Sequence, residues 1–275
     1  MDKKIEQLGK LDGKVLIFGG VYSNLQALNA LINAAKDLNI PASNCISTGD
    51  LIGYCAQPEE TISTFKRWNA KSILGNVELQ LINDEDDCGC DFTKGSRCDG
   101  FSKLWYPFAK GHLSKSSIDY LKTIPDHISF QLGEHSISVI HGSYTNISEF
   151  IFKSTSWQLK SPNFKALNCT TIIAGHCGLP FTDTKKNLTW INPGVIGMPA
   201  NDGTPNVWYA TLEIVNEALI CNHYTLKYDY LEANKLMLKN NLPKAYAQTI
   251  INGIWDNTEI LPEEETKREG LEIVL

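Results

Sequence analysis

The sequence of 275 residues lacks any apolar run of the roughly 20 residues that a membrane-spanning helix needs. Its first residues lack the apolar core of a signal peptide. It also lacks an excess of basic residues, since 25 Lys and Arg stand against 31 Asp and Glu, for a formal net charge of −6. These absences argue against membrane, secreted and nucleic-acid-binding proteins. They predict a cytoplasmic protein whose partner is a small molecule.

Cysteine, in contrast, is well represented, with eight residues scattered unevenly along the chain. A chain of this length can bury a core of its own and does not need a disulfide framework. We therefore expect free thiols or metal ligands. The 43% of hydrophobic and 20% of charged residues indicate a folded chain rather than a disordered one.

The first 76 residues alternate short apolar strands with amphipathic helices. Residues 14–20 form an apolar run, and apolar side chains recur at three- and four-residue steps in residues 24–38. Two further short strands end at Asp50 and Asn76, each of which directly follows a glycine. Strands that end in a glycine and a polar residue are typical of an α/β layer that binds ligands at the carboxyl ends of its strands.

The middle of the chain has a different pattern. Residues 83–100 are rich in acids, glycines and cysteines and show no periodicity, which predicts an irregular loop. Residues 127–132 and 136–141 alternate and predict a β-hairpin. We divide the chain into an N-terminal extension (1–12), a main domain with the 83–100 insert (13–226), and a C-terminal helical extension with an acidic tail (227–275).

Four polar side chains follow four separate strands, and each of them lies beside a glycine. They comprise one carboxylate, one amide and two imidazoles: Asp50, Asn76, His141 and His176. Glycine permits close approach of the backbone at such turns. Oxygen and nitrogen donors of this kind suit Zn²⁺, Mn²⁺ or Fe. The sequence therefore predicts a metal site at the strand ends.

Six motifs occur in order along the chain: residues 24–28, 49–54, 75–76, 140–142, 175–176 and 191–197. Together they resemble the calcineurin-like metallophosphoesterases, in particular their small bacterial branch. The resemblance covers residues 13–226. It implies a four-layer αββα sandwich of two mixed β-sheets flanked by helices, with two metal ions at the strand ends and hydrolysis of a phosphoric ester.

The chain departs from the family pattern at three places. Gly20 and Tyr22 stand where the family has Asp-x-His, Val77 stands where a histidine assists the leaving group, and Gly178 replaces the second histidine after His176. The resemblance implies that one metal has lost ligands. It also implies that the second metal keeps its complete set: Asp50, Asn76, His141 and His176.

A first hypothesis is a mononuclear hydrolase, in which protein donors replace the missing ion. Backbone N–H groups at the start of the first helix would seat the phosphate. The residues that would form this seat are Gly20, Tyr22, Ser23 and Asn24, and Arg97 would add a bidentate clamp. The alternatives are that the glycines only make a tight turn and that Arg97 is a solvated loop residue.

A second hypothesis is a two-metal centre completed by sulfur. The candidate ligands are Cys177, Cys55, Cys88 and Cys90. Thiolates would favour Zn²⁺ or Fe over Mg²⁺. The alternative is a small buried or disulfide-linked cluster of cysteines.

A third hypothesis is a non-catalytic sensor that binds a metal or a phosphorylated ligand. The absence of an acid at Val77 favours it. We nevertheless favour an enzyme that hydrolyses a small phosphorylated molecule with metal-activated water, with Asp50, Asn76 and His141 as catalytic residues. Because Val77 cannot protonate a leaving group, we expect substrates with good leaving groups. The C-terminal helices would cover a sheet edge or pair with a second subunit in a homo-oligomer.

Overall fold

The computed structural model describes residues 3–90 and 92–275. Two mixed β-sheets pack face to face, and helices cover the outer side of each sheet. The predicted four-layer αββα sandwich is therefore confirmed.

The two sheets contain six and five strands. The first sheet has the spatial order β1 (Ile5–Leu11), β5 (His127–Leu132), β6 (His135–Ile140), β7 (Thr171–Ala174), β9 (Leu188–Asn192) and β8 (Phe181–Lys185). The second has the order β11 (Ala218–Leu226), β10 (Val207–Val215), β2 (Val15–Phe18), β3 (Cys45–Ser47) and β4 (Lys71–Ser72).

The helices lie mainly on the outer faces of these sheets. In chain order they are α1 (Leu25–Asp37), α2 (Pro58–Trp68), α3 (Asn76–Ile82), α4 (Arg97–Gly111), α5 (Lys115–Leu121), α6 (Trp157–Leu167), α7 (Tyr230–Lys239), α8 (Lys244–Asn252) and α9 (Glu263–Thr266). Across residues 3–90 and 92–275, none of the helices has both the length and the apolar character of a membrane span.

Strand β2 shows how the sequence builds the layers. Its four side chains are fully buried, and successive side chains of a strand point to opposite faces. Val15 and Ile17 pack in the core between the two sheets, whereas Leu16 and Phe18 pack under the helices. Burial on both faces explains why this strand is a continuous apolar run.

The N-terminal extension predicted for residues 1–12 contains a strand of the first sheet. Strand β1 pairs in parallel with β5, with Ile5 opposite His127. Its exposed and half-buried side chains include several polar ones, so it lacks the apolar pattern that marks a buried strand. Residues 1 and 2 of this extension, and residue 91 of the 83–100 insert, lie outside the described residues.

The insert and the C-terminal extension are more closely tied to the core than expected. Helix α4 begins at Arg97, inside the predicted loop, because the Ser96 hydroxyl accepts a hydrogen bond from the Asp99 N–H. Helices α7 and α8 contribute Met237 and Ile250 to the same hydrophobic cluster as α1. The C-terminal helices thus complete the main core.

His127, at the start of β5, gives the fold a pH dependence. Burial, reinforced by the charge of Lys3, lowers the pKa of His127 to about 4. The unfolded chain, with a usual pKa of 6.5, therefore binds a proton that the folded chain rejects. We expect the free energy of unfolding to fall as the pH drops from 6.5 to 4. In urea titrations, the loss should be about 1–2 kcal/mol smaller in the His127→Leu variant. The exposed His112 provides the control variant, and an unchanged pH slope in His127→Leu would contradict this assignment.

Candidate metal centre

The four predicted ligands come together where the two sheets meet. Asp50 and Asn76 follow β3 and β4 of the second sheet, whereas His141 and His176 follow β6 and β7 of the first. All four residues are buried. The centre therefore takes two side chains from each sheet.

His141 lies in the middle of this group. Its Nε2 atom is 3.0 Å from Oδ1 of Asn76, 3.1 Å from Nδ1 of His176 and 3.3 Å from Oδ2 of Asp50. The ligand atoms of Asp50, His141 and His176 all lie within 4.8 Å of one another. These distances bring the predicted ligands into one cluster.

A backbone carbonyl fixes the ring of His141. Its Nδ1 lies 2.6 Å from the carbonyl oxygen of Thr48, which can only accept, so Nδ1 donates and Nε2 is the ring atom left to bind a metal. This arrangement orients a histidine for a metal. Nε2 faces the Asn76 amide oxygen and the Asp50 carboxylate, two oxygens that a cation would bind together with it. The residues present thus fit a divalent cation with nitrogen and oxygen ligands.

The two histidines differ in their electrostatics. Burial, together with the charge of His141, lowers the pKa of His176 to about 3, so His176 stays neutral and can act as a ligand. For His141, burial acts to lower the pKa, but Asp50 and the Thr48 carbonyl raise it above its usual value. The buried carboxylate thus attracts positive charge to the centre.

The backbone at the ligands is strained. Asp50 has φ 56° and His176 has φ 42°, both in the left-handed region. Such conformations cost free energy and concentrate at functional sites. Gly75 is required here because a Cβ atom at that position would clash with the Asp50 carboxylate.

Glu78 is a buried carboxylate that supports the centre without belonging to the cluster. It accepts hydrogen bonds from the backbone N–H groups of Asp50 at 2.8 Å, Gly75 at 2.9 Å and Ile52 at 3.0 Å. Burial, followed by the charge of Asp50, raises the pKa of Glu78 to about 7. Its position three residues after Gly75, at the start of α3, is the sequence signal for this role.

The 83–100 insert orients Asn76. The Asn76 amide Nδ2 donates to the Cys88 carbonyl at 2.8 Å and lies 3.2 Å from the Cys90 sulfur. With the nitrogen held in this way, the amide oxygen faces His141. The insert therefore orients one predicted ligand through the Cys88 carbonyl and the Cys90 sulfur.

The candidate sulfur ligands lie outside the cluster. Among the described residues, the group of metal-ligating side chains contains no cysteine. The Cys177 sulfur accepts from Nδ2 of Asn192 at 3.1 Å, and the Cys55 thiol lies 3.7 Å from the Gly197 carbonyl. Burial raises the pKa of Cys177 to about 12, which favours the neutral thiol.

Replacing Cys177 by serine is expected to leave the metal content of the protein unchanged, because its sulfur contacts Asn192 rather than the cluster. Elemental analysis of protein purified without chelator or affinity metal measures this directly. Cys169→Ser, at another buried cysteine of the same hydrophobic cluster, is the matched control. If the Cys177 variant lost one metal per chain and the Cys169 variant did not, the hypothesis of a two-metal centre with a sulfur ligand would be supported instead.

Four backbone N–H groups of the predicted phosphate seat at residues 20–24 already have acceptors within the protein. The N–H groups of Val21 and Tyr22 donate to the Asp50 carbonyl, and those of Ser23 and Asn24 donate to other carbonyls. The Ser23 hydroxyl accepts from the Gly53 N–H, and the Asn24 side chain caps α1. These groups join two loops. At Gly20, a Cβ atom would clash with the Tyr22 ring.

Arg97 is also engaged elsewhere. Its guanidinium makes a bidentate ion pair with Asp256, at 2.5 and 2.7 Å, and its side chain is 58% exposed. It does not line the cavity beside the cluster. The predicted phosphate clamp would require this ion pair to break.

A cavity of about 90 Å³ opens beside Asp50 and His176. Six aromatic side chains line it: Tyr22, Tyr54, Phe92, Phe150, Tyr246 and Trp255. The Phe150 ring lies 4.3 Å from that of His176, and the Tyr54 ring packs between Tyr22 and Tyr246. The sequence singled out Tyr22 but not Tyr246 or Trp255, because these two come from the C-terminal extension, far from any motif.

Comparisons with known proteins agree with this architecture. Residues 14–217 match the model of the calcineurin-like phosphoesterase superfamily domain. An uncharacterized protein of Methanocaldococcus jannaschii is 23% identical over 256 residues, which cover 87% of this chain and 98% of that protein.

Crystal structures of other proteins share the fold. A hypothetical protein from Pyrococcus horikoshii OT3 has a TM-score of 0.72 and 18% identity, covering 88% of this chain and 99% of its own. A metallophosphoesterase from Sphaerobacter thermophilus has a TM-score of 0.68 and 20% identity, covering 89% of this chain and 100% of its own. Since the family match spans most of the sequence, the chain belongs to the calcineurin-like phosphoesterase superfamily, a family of phosphoric-ester hydrolases that generally use divalent metals.

Proposed function

We propose that this chain hydrolyses a small phosphorylated substrate with a divalent cation held by Asp50, Asn76, His141 and His176. The observation that carries the proposal is the approach of three ligand atoms to within 3.3 Å of Nε2 of His141. Zinc, manganese and iron all accept such a donor set. When bound, a cation of this kind lowers the pKa of water to about 7 and neutralises phosphoryl charge.

The protein's own groups prepare the centre for substrate. The Thr48 carbonyl fixes His141, and Glu78 fixes the loop that carries Asp50. Burial, followed by the charge of Asp50, raises the pKa of Tyr22 well above its usual range. The Tyr22 phenol therefore keeps its proton at neutral pH, and we propose that it donates a hydrogen bond to a phosphoryl oxygen.

Val77 limits the substrates that this centre can hydrolyse. Its backbone N–H lies 3.3 Å from Oδ1 of Asp50, but its aliphatic side chain cannot protonate a leaving group. General acid catalysis contributes about 10²–10⁴-fold in rate. Substrates with good leaving groups, such as aryl phosphates or pyrophosphates, are therefore favoured.

The test is hydrolysis of p-nitrophenyl phosphate esters by protein loaded with Zn²⁺, Mn²⁺ or Fe²⁺. We expect activity that EDTA removes, and a rate about 100-fold lower with an alkyl ester such as glycerol phosphate. Equal rates on aryl and alkyl esters would contradict the role given to Val77. Metal binding without any hydrolysis would favour the second candidate, a non-catalytic protein that binds a metal and a phosphorylated ligand.

We further propose that the protein works in the cytoplasm. All eight cysteines are free, and six of them are buried. Unpaired thiols persist in a reducing compartment. Fractionation of the native host's cells, followed by immunodetection, tests this directly.

A further inference from the structure

We infer that the substrate is a phosphodiester monoanion carrying a planar ring, and that the ring packs against the aromatic wall of the cavity. This inference rests on the proposed function and narrows it to one class of ester. Two observations carry it: the charges around the cavity, and the side chains that form its wall.

The charges favour a substrate with a single negative charge. The described residues that line the cavity include Asp50 and Asp256 but no lysine or arginine. Arg97 does not line the cavity, and its guanidinium forms an ion pair with Asp256. Asp50 is the one carboxylate of the ligand cluster, so a divalent cation bound there would leave one net positive charge among its ligands, which balances a diester. A monoester dianion would bring a second charge with no cationic side chain to receive it.

The wall favours a flat apolar group. Aromatic pairs gain free energy beyond the area they bury, so a ring that enters such a wall is bound more tightly than an alkyl group. The C-terminal extension supplies Tyr246, Trp255 and Ile260 to this wall.

Trp255 is held in place before any substrate arrives. Its indole Nε1 donates to the Pro199 carbonyl at 2.8 Å, and its backbone N–H donates to Oδ1 of Asn201 at 2.8 Å. The Tyr246 ring is wedged between Tyr54 and Phe101, with ring centroids 5.0 Å away on each side. Rings that are already fixed lose little conformational entropy when they bind a ligand.

The direct test is calorimetric titration of the Mn²⁺-loaded protein with three ligands. Diphenyl phosphate is a monoanion with rings, dimethyl phosphate is a monoanion without rings, and phenyl phosphate is a ring-bearing dianion at about pH 8. We expect diphenyl phosphate to bind about tenfold more tightly than either of the others. Equal or tighter binding of phenyl phosphate, or of dimethyl phosphate, would overturn the inference.

Two pairs of variants locate the effect in the wall. Trp255→Ala is expected to weaken diphenyl phosphate binding about tenfold and to leave dimethyl phosphate unchanged. Leu231→Ala, at a 62% exposed position of the same extension, is its control. Ile260→Lys adds a positive charge at the wall, so the ratio of phenyl phosphate Kd to diphenyl phosphate Kd should fall about tenfold. The neutral variant Ile260→Gln should leave this ratio unchanged. If neither Trp255→Ala nor Ile260→Lys moves binding in this way, the assigned wall is wrong.

A turnover assay separates this inference from the proposed function. Phenyl p-nitrophenyl phosphate and p-nitrophenyl phosphate share one leaving group, and we expect the diester to have the higher kcat/KM. Hydrolysis of both with the monoester preferred would overturn the substrate class and leave the proposed function standing. Binding in the expected order without hydrolysis would contradict the proposed function and retain the ligand class.

Discussion

Replacing His141 by alanine is expected to lower the affinity for a divalent cation by more than about 100-fold and to abolish phosphoesterase activity. Changes to groups that only orient a ligand already cost about 10–100-fold in metal affinity, and the proposed function makes His141 a ligand itself. Its Nε2 atom is also the point on which Asp50, Asn76 and His176 converge. The measurement is metal content after dialysis, together with hydrolysis of an aryl phosphate ester at increasing metal concentration.

His112→Ala is the matched control, because His112 is exposed and its ring contacts Phe108 of the preceding helix, through the carbonyl oxygen at 2.7 Å and the phenyl ring at 4.0 Å. The His112 variant should retain the metal and the activity of the wild type. Circular dichroism would establish that both variants fold. A folded His141→Ala protein that keeps its full metal content would exclude the proposed ligand set.

Replacing Glu78 by alanine is expected to destabilise the protein by about 3 kcal/mol. Three backbone N–H groups, those of Asp50, Ile52 and Gly75, would lose their acceptor inside the protein. Each buried donor left without a partner costs about 1–3 kcal/mol. The cost of burying the Glu78 carboxylate, which disappears in the variant, offsets part of this loss. Urea unfolding in EDTA measures the effect without a contribution from metal.

Glu60→Ala is the control for this prediction, since Glu60 is an exposed glutamate in the first turn of another helix. Its effect should stay within about 0.5 kcal/mol. Glu78→Ala should also weaken metal binding, because the loop that carries Asp50 loses two of its hydrogen bonds. Similar unfolding curves for the two variants would show that Glu78 acts only as an ordinary acid at a helix start.

The parts of the centre that the sequence predicts are those governed by local rules. An apolar strand followed by glycine and a polar residue marks where a chain leaves a sheet, and this rule led to Asp50, Asn76, His141 and His176. Because carboxyl ends of neighbouring parallel strands share one edge of a sheet, local patterns were enough to expect Asp50 near Asn76 and His141 near His176. That the two pairs meet depends on how the two sheets pack.

The parts that the sequence does not predict depend on contacts between distant segments. The N–H groups at residues 20–24 resemble an anion site locally, but those of Val21, Tyr22 and Ser23 donate to carbonyls of the loop after β3 in the folded protein. Trp255 is held in the cavity wall by hydrogen bonds to Pro199 and Asn201. The sequence around Trp255 contains no pattern that predicts these contacts. Strand β1 is recognisable only from its pairing with β5.

The origin of the ligands, two from each sheet, has a consequence for how the protein folds. Neither sheet alone holds more than half of the set, so a chain with undocked sheets offers a cation only a weak site. Binding of a cation at the proposed site would then favour the docked state by mass action and hold the two sheets together. Docking and metal uptake would thus form one linked equilibrium, in which the concentration of free metal helps to set the fraction of chains whose sheets are docked.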